Sequence, residues 1–288
     1  MKINSFIPLF IIGLCFFCCT SKPTNSTSTW LNLFNGKDLS GWDTYLGPSY
    51  DTIKNKFDSL TVLGLNNDPN KVFSVVNEDN APAIRISGSH NGGISTQQEF
   101  ENYHLILEFK WGKQKSHPRK DKKRDSGLLY HAVGAHGADF GFWMRSQELQ
   151  IQEGDCGDYW GVAGGIMDIP AKGSEPEKYV YDPSSTPLAF SSTSEHGRRC
   201  IKNPDAEKPT GEWNTIEIYC LGDTAVHMTN GVVNMILYHS RQVEGGKEIP
   251  LAKGKIQIQS EGAEVFYRNI QVESISEIPK EVLNTKSN

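Results

Sequence analysis

Apolar and polar residues alternate over much of this chain. In residues 103–111, Tyr103, Leu105, Leu107, Phe109 and Trp111 share one side, the period of two expected of a half-buried β-strand. Residues 83–87, 127–131, 215–221, 224–229, 232–238, 255–260 and 265–272 read the same way. No segment carries a long 3.6-residue period. Asn230-Gly231 joins two such runs as a hairpin turn, and Leu221-Gly-Asp-Thr224 marks another. Many short strands with turn signals between them predict an all-β sandwich or jelly roll. No internal repeat or domain-splitting linker interrupts the pattern.

One strand departs from the rule of burying one face. In the stretch from Trp143 to Asp155, Glu148, Gln150 and Gln152 alternate with Leu149 and Ile151. Three long polar side chains on one face make a poor core and a good groove floor, suited to a hydroxyl-rich ligand such as a sugar. Two irregular stretches flank this strand in sequence. Residues 112–125 hold Lys113, Lys115, Arg119, Lys120, Lys122, Lys123 and Arg124 and read as a solvated hairpin insertion, with an anionic-ligand lip as the other reading. Residues 155–209 are rich in Gly, Pro, Ser and Asp. A connection this long in a compact domain is usually functional or carries short elements of its own, and its position predicts one wall of the cleft.

The N-terminus follows other rules. Lys2 precedes an apolar run, residues 6–17, too short to span a bilayer as a mature helix. The run ends at Cys18-Cys19, followed by a Ser/Thr/Asn/Pro tether. We expect a lipoprotein signal over residues 1–19 modified at Cys19 or Cys18, a tether over 20–29, the folded domain over 30–275 and a tail over 276–288. The expected location is beyond the inner membrane, lipid-anchored in the periplasm, the outer membrane or the cell surface, with the anchor as its sole membrane contact. Of the remaining cysteines, Cys220 sits with Ile216 and Ile218 as a small core hydrophobe. Cys156 and Cys200 lie in loop-like segments and could pair in an oxidising compartment. A net charge of −5 argues against nucleic acid as the main partner; the polar strand face instead suits a small glycoside or an oligosaccharide.

Several motifs occur together: Leu33-Phe-Asn-Gly-Lys-Asp-Leu-Ser-Gly-Trp42, Asp125-Ser-Gly-Leu128, Glu148-Leu-Gln-Ile151, Gly211-Glu-Trp-Asn-Thr215, Asn230-Gly231, and Gly254-Lys-Ile-Gln-Ile-Gln-Ser-Glu-Gly262 running into Tyr267-Arg-Asn-Ile270. In this order they resemble the 3-keto-disaccharide hydrolase domain family. The resemblance implies a concanavalin A-like lectin/glucanase jelly roll of two antiparallel sheets acting on oxidised glycosides. Asp125 stands where many relatives have Asn, and Gln152-Glu-Gly-Asp-Cys-Gly-Asp-Tyr159 is more acidic than the family's usual turn.

A ketone at C3 of a sugar acidifies the C2 hydrogen. A base can remove that proton, and the enolate expels the glycosidic oxygen from C1; later addition of water gives net hydrolysis. The chemistry needs a general base and an electrophile for the enolate oxygen. Glu148 leads the candidate bases, with His131 and Glu153 behind it. Arg145, Lys110 or a divalent cation such as calcium can serve as the electrophile, and Glu153, Asp155 and Asp158 are the candidate ligands of such a cation. Gln150 completes the polar floor, and Trp143 and Trp160 are candidates for stacking on a sugar. Trp42 and Trp213 read as core, and Glu261 and Arg268 as a structural pair. Two alternatives stay open: a glycan-binding lipoprotein without turnover, and a laminarinase-like retaining glycosidase, which the run Glu148-x-Gln150-x-x-Glu153 resembles on the same architecture. That second mechanism requires a bulge to bring Glu148 and Glu153 onto one side.

Overall fold

The computed structural model describes Met1 and residues 30–284. It is a jelly-roll sandwich of two antiparallel sheets. One sheet runs, in spatial order, Val180–Tyr181, Gly165–Lys172, Val232–Glu244, Thr224–Thr229, Asn214–Leu221, Tyr103–Lys115, Ala263–Ser274, Ala81–Ile86, Phe73–Glu78. The other runs Arg199–Cys200, Tyr159–Val162, Arg145–Gln152, Asp125–Val133, Lys255–Ser260, Gly92–Thr96, Trp42–Leu46, Gly64–Leu65. The alternation at 103–111 and its counterparts all become strands, four of the eight extended by four or more residues. The single helix among the described residues is Lys280–Leu283.

The core forms where the two apolar stripes meet. Leu105, Leu107, Phe109, Ile216, Ile218 and Val265 from one sheet belong to the same buried cluster as Ile94, Leu128, Leu149, Ile151, Ile256 and Ile258 from the other. Because side chains alternate across a strand, burying Leu149 and Ile151 fixes Glu148, Gln150 and Gln152 on the opposite face. Cys220 is buried in the same core, as its alternation predicts.

One expectation is sharpened here and one corrected. The stretch 155–209 carries elements of its own, as a connection of that length can: five strands, Tyr159–Val162, Gly165–Lys172, Val180–Tyr181, Pro187–Phe190 and Arg199–Cys200. Its glycines and prolines break up the alternation, and four of the five strands are at most four residues long, too few for a period to show. Cys156 and Cys200 do not pair; both are buried free thiols. Apart from Met1, the expected signal and tether, with Cys18 and Cys19, lie outside the described residues.

Candidate active site

The outer face of the eight-stranded sheet is assembled row by row from strand register. Glu148 lies opposite Leu129 on one side and Trp160 on the other, and Leu129 in turn lies opposite Gln257. In the next row Gln150 faces Gly127, and Leu128 opposite Ile258 sets Gly127 beside Gln259. In the third row Gln152 faces Asp125, and Glu261 follows the end of the neighbouring strand, Lys255–Ser260. The floor is therefore a lattice of carboxyl and amide groups.

Gly127 is the notch in that lattice. A Cβ there would fall 2.6 Å from Gln259 Oε1 and closer still to Glu148 Oε1. Glycine at this position lets the two side chains lean in over the strand. The triplet Asp125-Ser126-Gly127 thus divides its work between faces. Asp125 and Gly127 look outward, while Ser126 turns inward, its hydroxyl 2.8 Å from the Gln259 carbonyl and 2.7 Å from the Tyr267 hydroxyl of the other sheet.

Glu148 is buried, 5% exposed. Desolvation pushes its pKa well above the ordinary carboxylate value; Glu261 pushes the same way, and Arg198 opposes. No hydrogen bond from a described residue acts on its carboxyl. Asp125 is likewise raised, first by burial and then by Glu261, against the opposing charge of Arg119. Glu261 is raised to about 7 by desolvation, which outweighs Arg119 and Arg198. Arg119 bridges Asp125 and Glu261, the latter at 3.3 Å. It lies against Gly262, whose φ of +79° and missing Cβ leave room for the Arg119 stem. Arg198 is held by Asp139 at 3.3 Å.

Several polar atoms around these groups are buried without a hydrogen-bond partner: Gln259 Oε1, Gln257 Nε2, Asp125 Oδ1, Arg119 Nε, Trp160 Nε1 and Ser95 Oγ. Gln257 spends its Oε1 on the Met144 N–H, 3.0 Å away, which leaves its Nε2 to donate elsewhere. Unpaired buried polar groups are costly and uncommon in native interiors. Six of the thirteen such atoms among the described residues gather around this face, where a polar ligand can supply the missing partners.

The raised carboxyls set a pH dependence of stability. A carboxyl whose folded pKa lies above its unfolded value favours the fold in its protonated form. That stability is present below the unfolded pKa and is lost as pH rises through the folded one. For Glu261 the window runs from its ordinary 4.5 to about 7, and the expected loss is on the order of 1–3 kcal/mol. Glu261→Gln should flatten the slope, as read by urea unfolding at a series of pH values. A slope identical to wild type would assign the titration to other groups.

The other residues singled out from sequence fall in different places. His131 is turned into the core by a bulge between Tyr130 and Val133 and a φ of +53°. Its ring meets Tyr103 and Tyr130 edge-on at 5.8 and 5.3 Å, and desolvation lowers its pKa to about 4. Arg145 lies at the strand's end, its Nε donating to the Ala163 carbonyl at 2.9 Å and its Nη1 to Gln242 at 3.0 Å. Lys110 belongs to the outer face of the other sheet, paired with Glu78 and Asp79. Trp143 packs on Leu129, Phe142 and Val162 beside the floor, and its Nε1 donates to the Gly92 carbonyl at 2.8 Å. Trp160 stands next to Glu148.

Glu153, Asp155 and Asp158 do not converge. Glu153 holds Arg124 at 2.6 Å, Asp155 holds Lys123 at 2.8 Å, and Arg199 joins Asp155 and Asp158 at 3.3 and 2.5 Å. Among the described residues, no group of three or more His, Cys, Asp or Glu side chains is arranged to hold a metal ion. Glu153 is also not brought against Glu148, because it leaves the strand toward Arg124. Glu261 pairs with Arg119, and Arg268 instead pairs with Glu108 at 2.6 Å and stacks on Trp213 at 3.8 Å. Trp42 is core, as expected, whereas Trp213 is only half-buried.

Sequence reasoning missed Asp125, Gln259, Glu261, Arg119, Arg198 and Asp139. Asp125-Ser-Gly and the Gln257/Gln259 alternation running into Glu261-Gly262 carried the signal, because their outward faces are as polar as that of 148–152. The two arginines arrive from irregular segments, where no period reports direction.

A family model described as the 3-keto-alpha-glucoside-1,2-lyase-like domain matches residues 29–273. Among solved structures, two candidate glycosyl hydrolases from Parabacteroides distasonis are similar to this chain. One is 18% identical with a TM-score of 0.47, covering 86% of this chain and 94% of its own; the second is 17% identical at 0.47, covering 86% and 100%. The carbohydrate-binding module CBM66 from Bacillus subtilis is 7% identical with a TM-score of 0.40, covering 70% of this chain and 92% of its own. No curated protein matches the chain.

Proposed function

Because the chain belongs to the 3-keto-alpha-glucoside-1,2-lyase-like domain family, whose membership supports a carbohydrate-related role, we propose that it cleaves the glycosidic bond of 3-keto-glycosides on the outer face of the eight-stranded sheet. Glu148 is the base. It takes the C2 proton, the electrons of that bond form the enolate, and the C1–oxygen bond breaks. Glu261 gives the departing oxygen its proton. Addition of water to the resulting enone completes net hydrolysis; release before hydration makes the protein a lyase.

The observation that carries this reading is the state of Glu148, a buried carboxyl over the Gly127 notch with no hydrogen bond from a described residue. A structural carboxylate is normally held by donors. One kept free and desolvated is disfavoured as an anion and is a correspondingly stronger base once ionised. Glu261 sits near neutrality, where a group can both give and take a proton. Arg119 and Arg198 place positive charge beside the developing anion. The unpaired Gln257 Nε2 is a donor for a sugar oxygen. These groups take the electrophilic role first assigned to Arg145 and Lys110.

The test is product formation. Incubation with a 3-keto-disaccharide should release a reducing sugar, together with an ultraviolet-absorbing enone if elimination outruns hydration. Binding without either product would leave a glycan-binding protein as the better description. Cleavage of unoxidised disaccharides at the same rate would favour a retaining glycosidase.

A further inference from the structure

Beside Glu148 stands a three-layered stack whose two aromatic members the proposed reaction does not use. The Arg198 guanidinium carbon lies 5.3 Å from the centre of the Phe140 ring and 5.1 Å from that of Trp160, both within cation–π range. Asp139 pins the same guanidinium at 3.3 Å. Trp160 is the cross-strand partner of Glu148, so the stack begins one strand spacing, roughly 5 Å, from the proposed base.

Phe140 is the unusual member. It is 71% exposed, although a phenyl ring gains by burial. Its φ is +49°, the left-handed region that a bulky side chain occupies only at a cost. The backbone is thus held in an unfavourable conformation that puts an aromatic ring in water, backed by an arginine and next to a polar site. Trp160, at the base of the stack, has a buried Nε1 with no partner.

The geometry points to a subsite for the leaving half of the glycoside, in which the outer face of Phe140 stacks on a flat, apolar ring of the aglycone. This inference rests on the reaction proposed above and names the class of leaving group. The Phe140 ring itself offers no hydrogen-bond partner to a sugar's hydroxyls. An aryl ring has none to satisfy and gives up only apolar surface.

Two 3-keto-glucosides, one with a phenyl and one with a methyl leaving group, test this on the intact protein. Phenol leaves more easily than methanol, so the informative quantity is the change in the phenyl-to-methyl ratio of kcat/KM between wild type and variant. Phe140→Ala should lower that ratio roughly three- to tenfold, and Phe140→Tyr should retain it. Phe140→Gly should lower it equally while raising Tm, because glycine accepts the left-handed conformation. Equal losses on both substrates, or an unchanged ratio, would overturn the subsite. If wild type turns over neither substrate, the proposed reaction has failed on its own. The subsite is then read by calorimetric binding of phenyl and methyl glucoside: a phenyl preference lost in Phe140→Ala upholds it, and no preference overturns it.

Discussion

Glu148→Gln is expected to abolish turnover and to raise the melting temperature in the same molecule. The substitution keeps shape and removes the ionisable group. Loss of a general base lowers kcat by about 10² to 10⁴. The stability change has the opposite sign, because at neutral pH the wild type holds a desolvated carboxyl near Glu261. Replacing it with a neutral amide removes both the desolvation cost and the like-charge repulsion. A gain of 1 kcal/mol corresponds to roughly 2–4 °C in Tm for a domain of this size. Functional sites commonly trade stability for chemistry in this direction. Paired measurements of kcat and Tm at pH 7 decide the matter. Turnover within a few-fold of wild type would remove Glu148 from the chemistry. A fall in Tm would mean that the carboxylate holds the fold together.

Gly127→Ala is expected to be nearly as damaging, from a position with no functional group. The added Cβ points at Glu148 Oε1 and Gln259 Oε1. Both are the far ends of flexible side chains, so the sheet can form and the two groups must swing away. A misplacement of about 1 Å can cost on the order of 10²-fold in rate. The circular dichroism spectrum should remain that of a β protein while kcat falls by at least that factor. Activity close to wild type would show that Glu148 acts from another rotamer. Ser126→Ala is the contrasting change: it removes the inward hydrogen bonds to Gln259 and Tyr267 and should cost stability more than rate.

What the sequence disclosed follows from what periodicity can report. Residues 103–111, 224–229 and 255–260 advertise strands because a buried stripe and a solvated stripe demand opposite residue types. Glu148, Gln150 and Gln152 stand out because they break that demand on a face that must still be covered. The residues that complete the site carry no such mark. Arg119 comes from a run of seven basic side chains, six of which resemble it in sequence, and only the folded connection selects the one that meets Asp125 and Glu261. His131 is misread for the converse reason. The bulge after Tyr130 shifts the inward–outward count by one, and alternation alone does not locate bulges.

Glu148 and Asp125 belong to strands whose register is locked by the core, and Glu261 to the tight turn between two more, whereas Arg119 and Arg198 come from longer connections between strands. Proton affinity and catalytic geometry are therefore encoded in separable parts of the gene. Exchanging the connections among homologous sequences would retune the acid–base range of a common scaffold and leave its framework intact, a route by which one sheet could come to serve environments of different acidity.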